Sequence, residues 1–498
     1  MLVTFEKSRA GQMTCLVQGK YLHSKYNPQN EGERFAENIQ ADFSPLCVFI
    51  LEPALSYCAQ PLKKRFPQAE ICAIRFSQDF SDSDSLWDKV FYACKDSPVS
   101  LSEQLFNFLG EEKLISSLTL DWAPSKAIFP LKSEETWTEI KKAILKARDV
   151  IGTRAYFSKR WLKNSVIFAS KIKKTLLLEK GNMPVIIAAS GPSLETSLPF
   201  LKKFRENFFL IALSSAFMPL LSHSIRPDFV ISSDGGFWAK NHLNFKKDSD
   251  CIFALEAEAA VPKKLLDDNY ILPLCYNDGL ERNLLESIGC PYMLSERNGT
   301  VAGTALCFAF SLTEGNIYLC GLDQAPAPAF QHVQPNALEA ANEKKDFRLR
   351  NKETRLTISR FKSAPSLEIY RNWFISNSEY FCKRVFRLSD NFSYDFSLGK
   401  ISETNWDSVQ KSDFQKSGFK KIVFKEKKIK VNGQERQKKL LETLKFLSES
   451  QEFFREVFPM DSILIKRELS QEKISVLEGQ LQDKRKKLLE ECEKLLQN

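Results

Sequence analysis

Three short segments of this chain gather residue types that hold anions and move protons. The first is Ala188-Ala189-Ser190-Gly191-Pro192-Ser193-Leu194. A glycine there lets the backbone approach a ligand closely. Pro192 and Ser193 are good helix starters, and the exposed amides of a helix start attract phosphate. No Gly-Lys-Ser/Thr follows, so the segment is not a P-loop. An ordinary strand-to-helix turn with a serine cap is the plainer reading. The second segment is Arg226-Pro227-Asp228-Phe229-Val230-Ile231-Ser232-Ser233-Asp234-Gly235-Gly236. Asp234 at a strand end can accept a hydrogen bond from a ribose hydroxyl or a base, or it can form a simple Asp-Gly turn. The third runs through Asn298-Gly299-Thr300-Val301-Ala302-Gly303-Thr304 to Ile317-Tyr318-Leu319-Cys320-Gly321-Leu322-Asp323 and then His332. Thr300 sits in a small-residue turn before a helix, and Asp323 ends another strand. His332 lies in a proline-rich loop. It is either a proton acceptor or an incidental surface histidine.

These segments need a scaffold that brings strand ends together. Val185 to Ala189, Phe208 to Ser214, Phe229 to Ser233 and Ile317 to Cys320 are near-continuous apolar runs. Helices are predicted between them, over Ser193 to Phe204, Ala216 to Ser222 and Ala302 to Leu312. Such alternation predicts a parallel sheet covered on both faces, a Rossmann-like doubly wound α/β domain. Ligands in such sheets bind beyond the carboxyl ends of the strands. All three segments lie at such ends, as do Ser214 and Ser215.

This central domain is expected over residues 181–400. A smaller α/β domain is expected over 1–130, from the run Cys47 to Leu51, a helix including Pro61 to Phe66, and the run Glu70 to Arg75. Its first turn, Glu52-Pro53-Ala54-Leu55-Ser56-Tyr57, has no glycine, so no cofactor is expected there. Residues 131–180 read as a helical linker. Residues 401–498 read as a helical C-terminal domain, with one helix over Gln434 to Phe458 ending near Pro459 and another over Leu469 to Leu496. Those helices pack on the protein itself or dock a partner. The stretch Phe419 to Lys430 alternates Lys with Ile, Val and Phe. It reads as an edge strand guarded by lysines, or as a contact for an anionic surface.

Bulk properties narrow the function. The 498 residues are 43% apolar, enough for several buried cores. The net charge of +9 suits nucleotides or phosphosugars and does not argue for nucleic acid. No leader peptide and no run of about 18 to 20 apolar residues is visible, so no membrane span and a cytoplasmic location are expected. The 12 cysteines sit singly inside apolar runs and read as reduced core residues. The four histidines have no metal-ligand spacing, and no metal site is predicted.

In order and spacing, the Gly191-Pro192-Ser193-Leu194 turn, the Ile225 to Asp234 strand and the Ile317 to Asp323 strand before a histidine resemble the motility accessory factor family. The stretches Leu22 to Pro28 and Phe157 to Asn164 are similar to segments flanking that family's core. The broader group includes MptE-like pterin diphosphokinases and, more distantly, bacterial sialyltransferases that use CMP-sialic acid. The resemblance covers roughly residues 20–380. It implies metal-independent, inverting transfer of a nonulosonic sugar, of the pseudaminic or legionaminic acid class, from a CMP donor to Ser or Thr of flagellin. No further cofactor is implied. By resemblance, Ser190, Gly191, Pro192, Ser193 and Leu194 hold the CMP part and Ser214 and Ser215 contact the nucleotide. Asp234, Thr300 and Asp323 stand beside the donor, and His332 takes the place of the general base.

The sequence also departs from that family. The loop Gln324 to Val333 lacks its usual residues, and no tyrosines are evident to hold the leaving phosphate. The basic stretch Lys344 to Arg360 could supply charge instead, or form a solvated, mobile loop. Two other readings stand beside the transferase. One is a pterin diphosphokinase using ATP and Mg²⁺ held by Asp228, Asp234 and Asp323. The other is a flagellar assembly protein on a silent scaffold.

Overall fold

Apolar runs of this kind force a sheet that is buried on both faces, because neither side of such a strand can face water. The computed structural model describes residues 3–93, 99–244, 251–326, 329–359, 365–390, 392–394, 396–414 and 418–497. It contains two such sheets and divides into two compact units, Met1–Ser158 with Gln451–Lys487, and Lys159–Ser450 with Leu488–Asn498.

The first unit opens with an antiparallel sheet of β1 (Val3–Lys7), β2 (Met13–Val17) and β3 (Lys20–Tyr21). Four parallel strands follow: β4 (Cys47–Leu51), β5 (Glu70–Arg75), β6 (Lys89–Tyr92) and β7 (Ser117–Asp121). Their order, β6-β5-β4-β7, makes the end of β4 a topological switch point. The turn beyond it has no glycine, yet Glu52, Ala54 and Ser56 take φ of 40°, 44° and 64°. Arg75 holds this strained backbone. Its fully buried guanidinium donates to Ala54 O at 2.6 Å and to the hydroxyls of Ser56 and Ser83 at 2.9 and 2.7 Å. It also pairs with Glu52 at 3.3 Å and Asp84 at 3.0 Å. His23 braces the same turn, its Nε2 accepting from the Leu55 amide at 3.0 Å. A side chain of the protein thus braces the turn at the switch point of this sheet.

The second unit carries β8 (Lys174–Glu179), β9 (Val185–Ala188), β10 (Phe209–Leu213), β11 (Phe229–Ser232), β12 (Ile252–Glu256), β13 (Tyr270–Tyr276), β14 (Met293–Ser295), β15 (Ile317–Cys320), β16 (Val385–Leu388), β17 (Ser402–Thr404) and β18 (Val423–Lys427). Their order is β17-β16-β15-β9-β10-β11-β12-β13-β8-β18, with β14 beside β13. Every pairing is parallel except that of β18 with β8. From β9 the chain steps outward through β10 to β13, then crosses back to β15, β16 and β17. The switch point lies between the carboxyl ends of β9 and β15. Alternate residues serve opposite cores. Val185 and Ile187 pack with the helix Val301–Leu312, while Ile186 and Ala188 pack with the helices Leu194–Lys203 and Ser214–Ser222.

Some expected boundaries differ. The segment 131–180 is a 42-residue helix, Pro130–Lys171, followed by β8, a strand of the main sheet. Residues 401–450 belong to the second unit and supply β17 and β18, because the lysine-rich stretch pairs with β8 and guards that edge. The helical C-terminal region begins at Gly433 and is broken into Gly433–Leu447, Gln451–Val457 and Pro459–Arg467 before Gln471–Gln497. Pro459 starts a helix at its first position instead of ending one. The described cysteines are free thiols, and Cys94 lies outside the described residues. No helix among the described residues is long and apolar enough to cross a membrane.

Candidate functional site

β9 and β15 are adjacent, so the turns that follow them are pressed together. The Gly191 amide donates to Gly321 O at 2.8 Å. A Cβ at Gly191 would lie 2.6 Å from that oxygen and 2.7 Å from the Asp323 carboxyl carbon. One at Gly321, with φ of 71°, would overlap the Ala189 carbonyl. Both glycines are there because two backbones share one space.

This packing bears on the expectation that the turn holds a phosphate. The amides after Ser190 are already engaged within the protein. Gly191 serves Gly321, Ser193 N donates to Asp323 Oδ2 at 3.0 Å, Leu194 N to Gly191 O at 3.0 Å and Glu195 N to Pro192 O at 3.1 Å. Pro192 has no amide hydrogen. The Ser193 hydroxyl also donates to Asp323 Oδ1. An internal carboxylate occupies the place at the helix start where a phosphate was expected. Burial pushes the Asp323 carboxyl up, while the Ser193 hydrogen bonds and the Arg387 charge pull it down. Arg387 is buried, stacks 3.6 Å from the Tyr394 ring centroid and leaves Nε and Nη1 without acceptors among the described residues. Tyr394 OH reaches Leu388 O at 2.5 Å and the Ser193 hydroxyl at 3.3 Å.

On the other side of the turn the expected residues do meet. His332 Nδ1 lies 3.0 Å from Ser190 Oγ, and the Ser190 hydroxyl donates to Ser215 Oγ at 2.8 Å. Val333 N donates to Ser190 O at 2.8 Å and fixes the histidine loop to the turn. Ser214 and Ser215 begin the helix after β10 and do not end the strand. Ser214 is buried and Ser215 half-buried. Burial holds the His332 imidazole below its usual range, opposed by the Ser190 carbonyl. Because Ser190 gives its proton to Ser215, its oxygen is left to accept from His332. We therefore assign the ring hydrogen to Nδ1, which leaves the lone pair on Nε2.

His242, noted in the sequence only for lacking metal-ligand spacing, is close enough to feel the charge of this group. Burial and the His332 charge push it down to about 4, and Asp234 opposes them. Asp234 is exposed and accepts from Gly236 N at 2.7 Å. Burial raises the Tyr370 phenol, and the Asp234 charge adds to it. The Asp234-Gly235 turn is held from behind by Trp161 and Asn164. Trp161 lies against Gly235, and Asn164 Nδ2 donates to Glu258 O at 2.8 Å. Thr300 stands apart, with no hydrogen bond to the Ser190–His332 group among the described residues. Its amide donates to Asn298 Oδ1 at 3.3 Å. The helix it precedes has no side-chain cap, and the amides of Val301, Ala302 and Gly303 have no acceptor among the described residues.

The three aspartates suggested for Mg²⁺ do not converge. Asp228 precedes β11 at its amino end, where it pairs with Arg205 at 2.8 Å and accepts from Leu210 N at 2.7 Å. Asp234 is beyond the opposite end of that strand, and Asp323 is engaged by Ser193. The basic stretch is folded into a hairpin and one helix, Lys352–Ser359; Arg360 lies outside the described residues, as do Ala327 and Pro328.

Residues 159–328 match the family described as 6-hydroxymethylpterin diphosphokinase MptE-like. The whole chain is similar in fold to the MAf glycosyltransferase of Magnetospirillum magneticum AMB-1, with a TM-score of 0.59 at 11% identity, over 99% of this chain and 92% of that one. Two uncharacterized proteins of Treponema pallidum (strain Nichols) are similar in sequence. One is 31% identical over 291 residues, 58% of this chain and 64% of the relative. The other is 26% identical over 114 residues, 22% of this chain and 54% of the relative. The chain thus spans less than two thirds of either.

Proposed function

We infer, from an MptE-like region at residues 159–328 set in the fold of a MAf glycosyltransferase, that this chain is a glycosyltransferase. It moves a nonulosonic sugar from a CMP donor to a Ser or Thr hydroxyl of flagellin. The observation that carries the reading is the His332–Ser190–Ser215 chain at the switch point of the sheet. A hydroxyl is a weak nucleophile, and a neutral imidazole with a free Nε2 can take its proton as its oxygen attacks C2 of the donor. The bond from C2 to the phosphate oxygen breaks as the new one forms, and CMP departs with the electron pair.

With the Gly191 and Ser193 amides engaged, the departing charge falls to the open helix start at Val301 to Gly303, beside Thr300. Oriented amides stabilise such charge best when they are already in place. Ser190, Ser215 and Asp234 face the nucleotide in this reading. Gly191, Pro192, Ser193, Leu194 and Asp323 build the floor beneath it, and Ser214 starts the neighbouring helix.

Intact-mass analysis of flagellin from cells with and without this protein tests the reading. A sugar-sized mass difference that disappears in His332→Ala supports it, whereas unchanged mass rejects transfer to flagellin. Thermal shift with CMP, CDP and ATP-Mg²⁺ separates the ligand classes, and stabilisation by ATP-Mg²⁺ without CMP would remove the CMP donor.

A further inference from the structure

The turn from Asp234 to His242 carries two large side chains in water. Phe237 is 51% exposed and Trp238 55%, with rings edge to face at 5.3 Å. Lys240 Nζ lies 4.0 Å from the Phe237 centroid and Lys345 Nζ 5.6 Å from that of Trp238. Lys345 leads into a tight hairpin. Phe347 N donates to Arg350 O at 3.1 Å and Arg350 N to Phe347 O at 2.9 Å. Its tip projects Arg348 and Leu349, the latter 82% exposed, beside Phe347 at 59%.

The hairpin is braced in place. Arg355 grips Glu339 at 2.6 and 3.0 Å and Asp346 at 2.9 Å, a forked geometry that fixes both loop ends. Lys352 pairs with Glu343 at 2.5 Å and lies 5.2 Å from the Phe330 ring, two residues before His332. The hairpin therefore stands at the rim between the Trp238 turn and the histidine loop. Asp346 is neutralised by Arg355, while Lys344, Lys345, Arg348 and Arg350 face solvent.

Exposed Trp, Phe and Leu among unneutralised cations have the composition of a binding surface. We propose that this rim docks an acidic, apolar-bearing segment of the acceptor polypeptide and so delivers its hydroxyl to His332. The proposal rests on the transferase reading for its purpose. A polypeptide suits the rim better than a bilayer, because the apolar groups sit on two separate turns. A membrane-lying helix would present them as one continuous face.

Panning a phage-displayed random-peptide library over the full-length protein tests the proposal. Enriched peptides are expected to combine Asp or Glu with Leu or aromatic residues. Their affinity, read by fluorescence anisotropy, should fall about tenfold or more in Arg348→Glu/Arg350→Glu and in Trp238→Ala. His332→Ala should bind them normally. These surface variants should melt as the parent does. Enrichment of non-acidic peptides, or equal binding by the charge-reversed variant, overturns the proposal. So does sedimentation of the protein with phosphatidylglycerol vesicles that is lost in the charge-reversed variant without any peptide preference. Peptide binding as expected with no change in flagellin mass would reject the transfer step and leave the docking surface standing.

Discussion

Replacing Ser190 by alanine removes the oxygen that we assign as the acceptor of the His332 Nδ1 hydrogen at 3.0 Å. Two effects follow. A neutral hydrogen bond is worth about 1 kcal/mol net, so the ratio of the Nδ1-protonated to the Nε2-protonated ring should fall roughly fivefold, and turnover by up to that factor. A hydrogen bond from the charged imidazolium is stronger than one from the neutral ring, by roughly 1 kcal/mol. Losing it lowers the pKa further, although the Ser190 carbonyl, which also holds it up, remains. His332 acts as a base only when neutral, so activity is lost as pH falls through its folded pKa. In Ser190→Ala the plateau should drop while the acid limb moves to lower pH, a pair of changes that a general folding defect does not produce. The chain has four histidines, so selective ¹⁵N-histidine labelling gives a readable NMR spectrum of ring tautomers without any turnover assay. If the parent His332 carries its hydrogen on Nε2, or if Ser190→Ala leaves both tautomer and acid limb unmoved, the reasoning is wrong.

Other expectations concern buried charge. Arg75→Met should strand the buried Glu52 carboxylate and cost about 3–5 kcal/mol in a denaturant melt of the full chain. His242 is pushed down from about 6.5 to about 4, so it binds a proton in the unfolded chain before the folded one. Its contribution, on the order of 3 kcal/mol, is present above pH 6.5 and lost as pH falls toward 4. His242→Gln should flatten that part of the stability curve. Glu281 is pushed up to about 8 by burial and by the charge of Glu258, so the folded chain holds its proton longer. Stability from this group falls as pH rises from about 4.5 to 8. Glu281→Gln keeps an acceptor for Tyr276 N, at 2.7 Å in the parent, and should raise the unfolding midpoint by a few degrees at pH 8 and little at pH 5.

The parts of this molecule that follow from local pattern were readable from the chain alone. Val185 to Ala188, Phe209 to Leu213, Phe229 to Ser232 and Ile317 to Cys320 are apolar on every residue or nearly so, and each became a buried parallel strand. Their turns were therefore placed at one edge of the sheet, while Ser215 and His332 were named as site residues through the family resemblance and not from local pattern. What was hidden depends on distant partners. The amides after Gly191 look free until a strand some 130 residues later brings Gly321 and Asp323 against them. His242 carries no spacing signal, since only the fold sets it near His332. The lysine-rich β18 and the short β17 gain strand structure from the sheet edges they cover, and weak local propensity hides such edges. The break at Ser448-Glu449-Ser450 shows the opposite error, where helical periodicity continued across residues that turn the chain.

Asp323 and Arg75 invite a comparison. Each lies at a strand end beside the switch point of its own sheet, one anionic and one cationic, and each satisfies groups that an empty crevice would leave hungry. A protein built this way arrives pre-assembled. Its floor should be as ordered before a substrate enters as after, and selectivity then belongs to the surrounding loops, which can diverge without disturbing the foundations on which they stand.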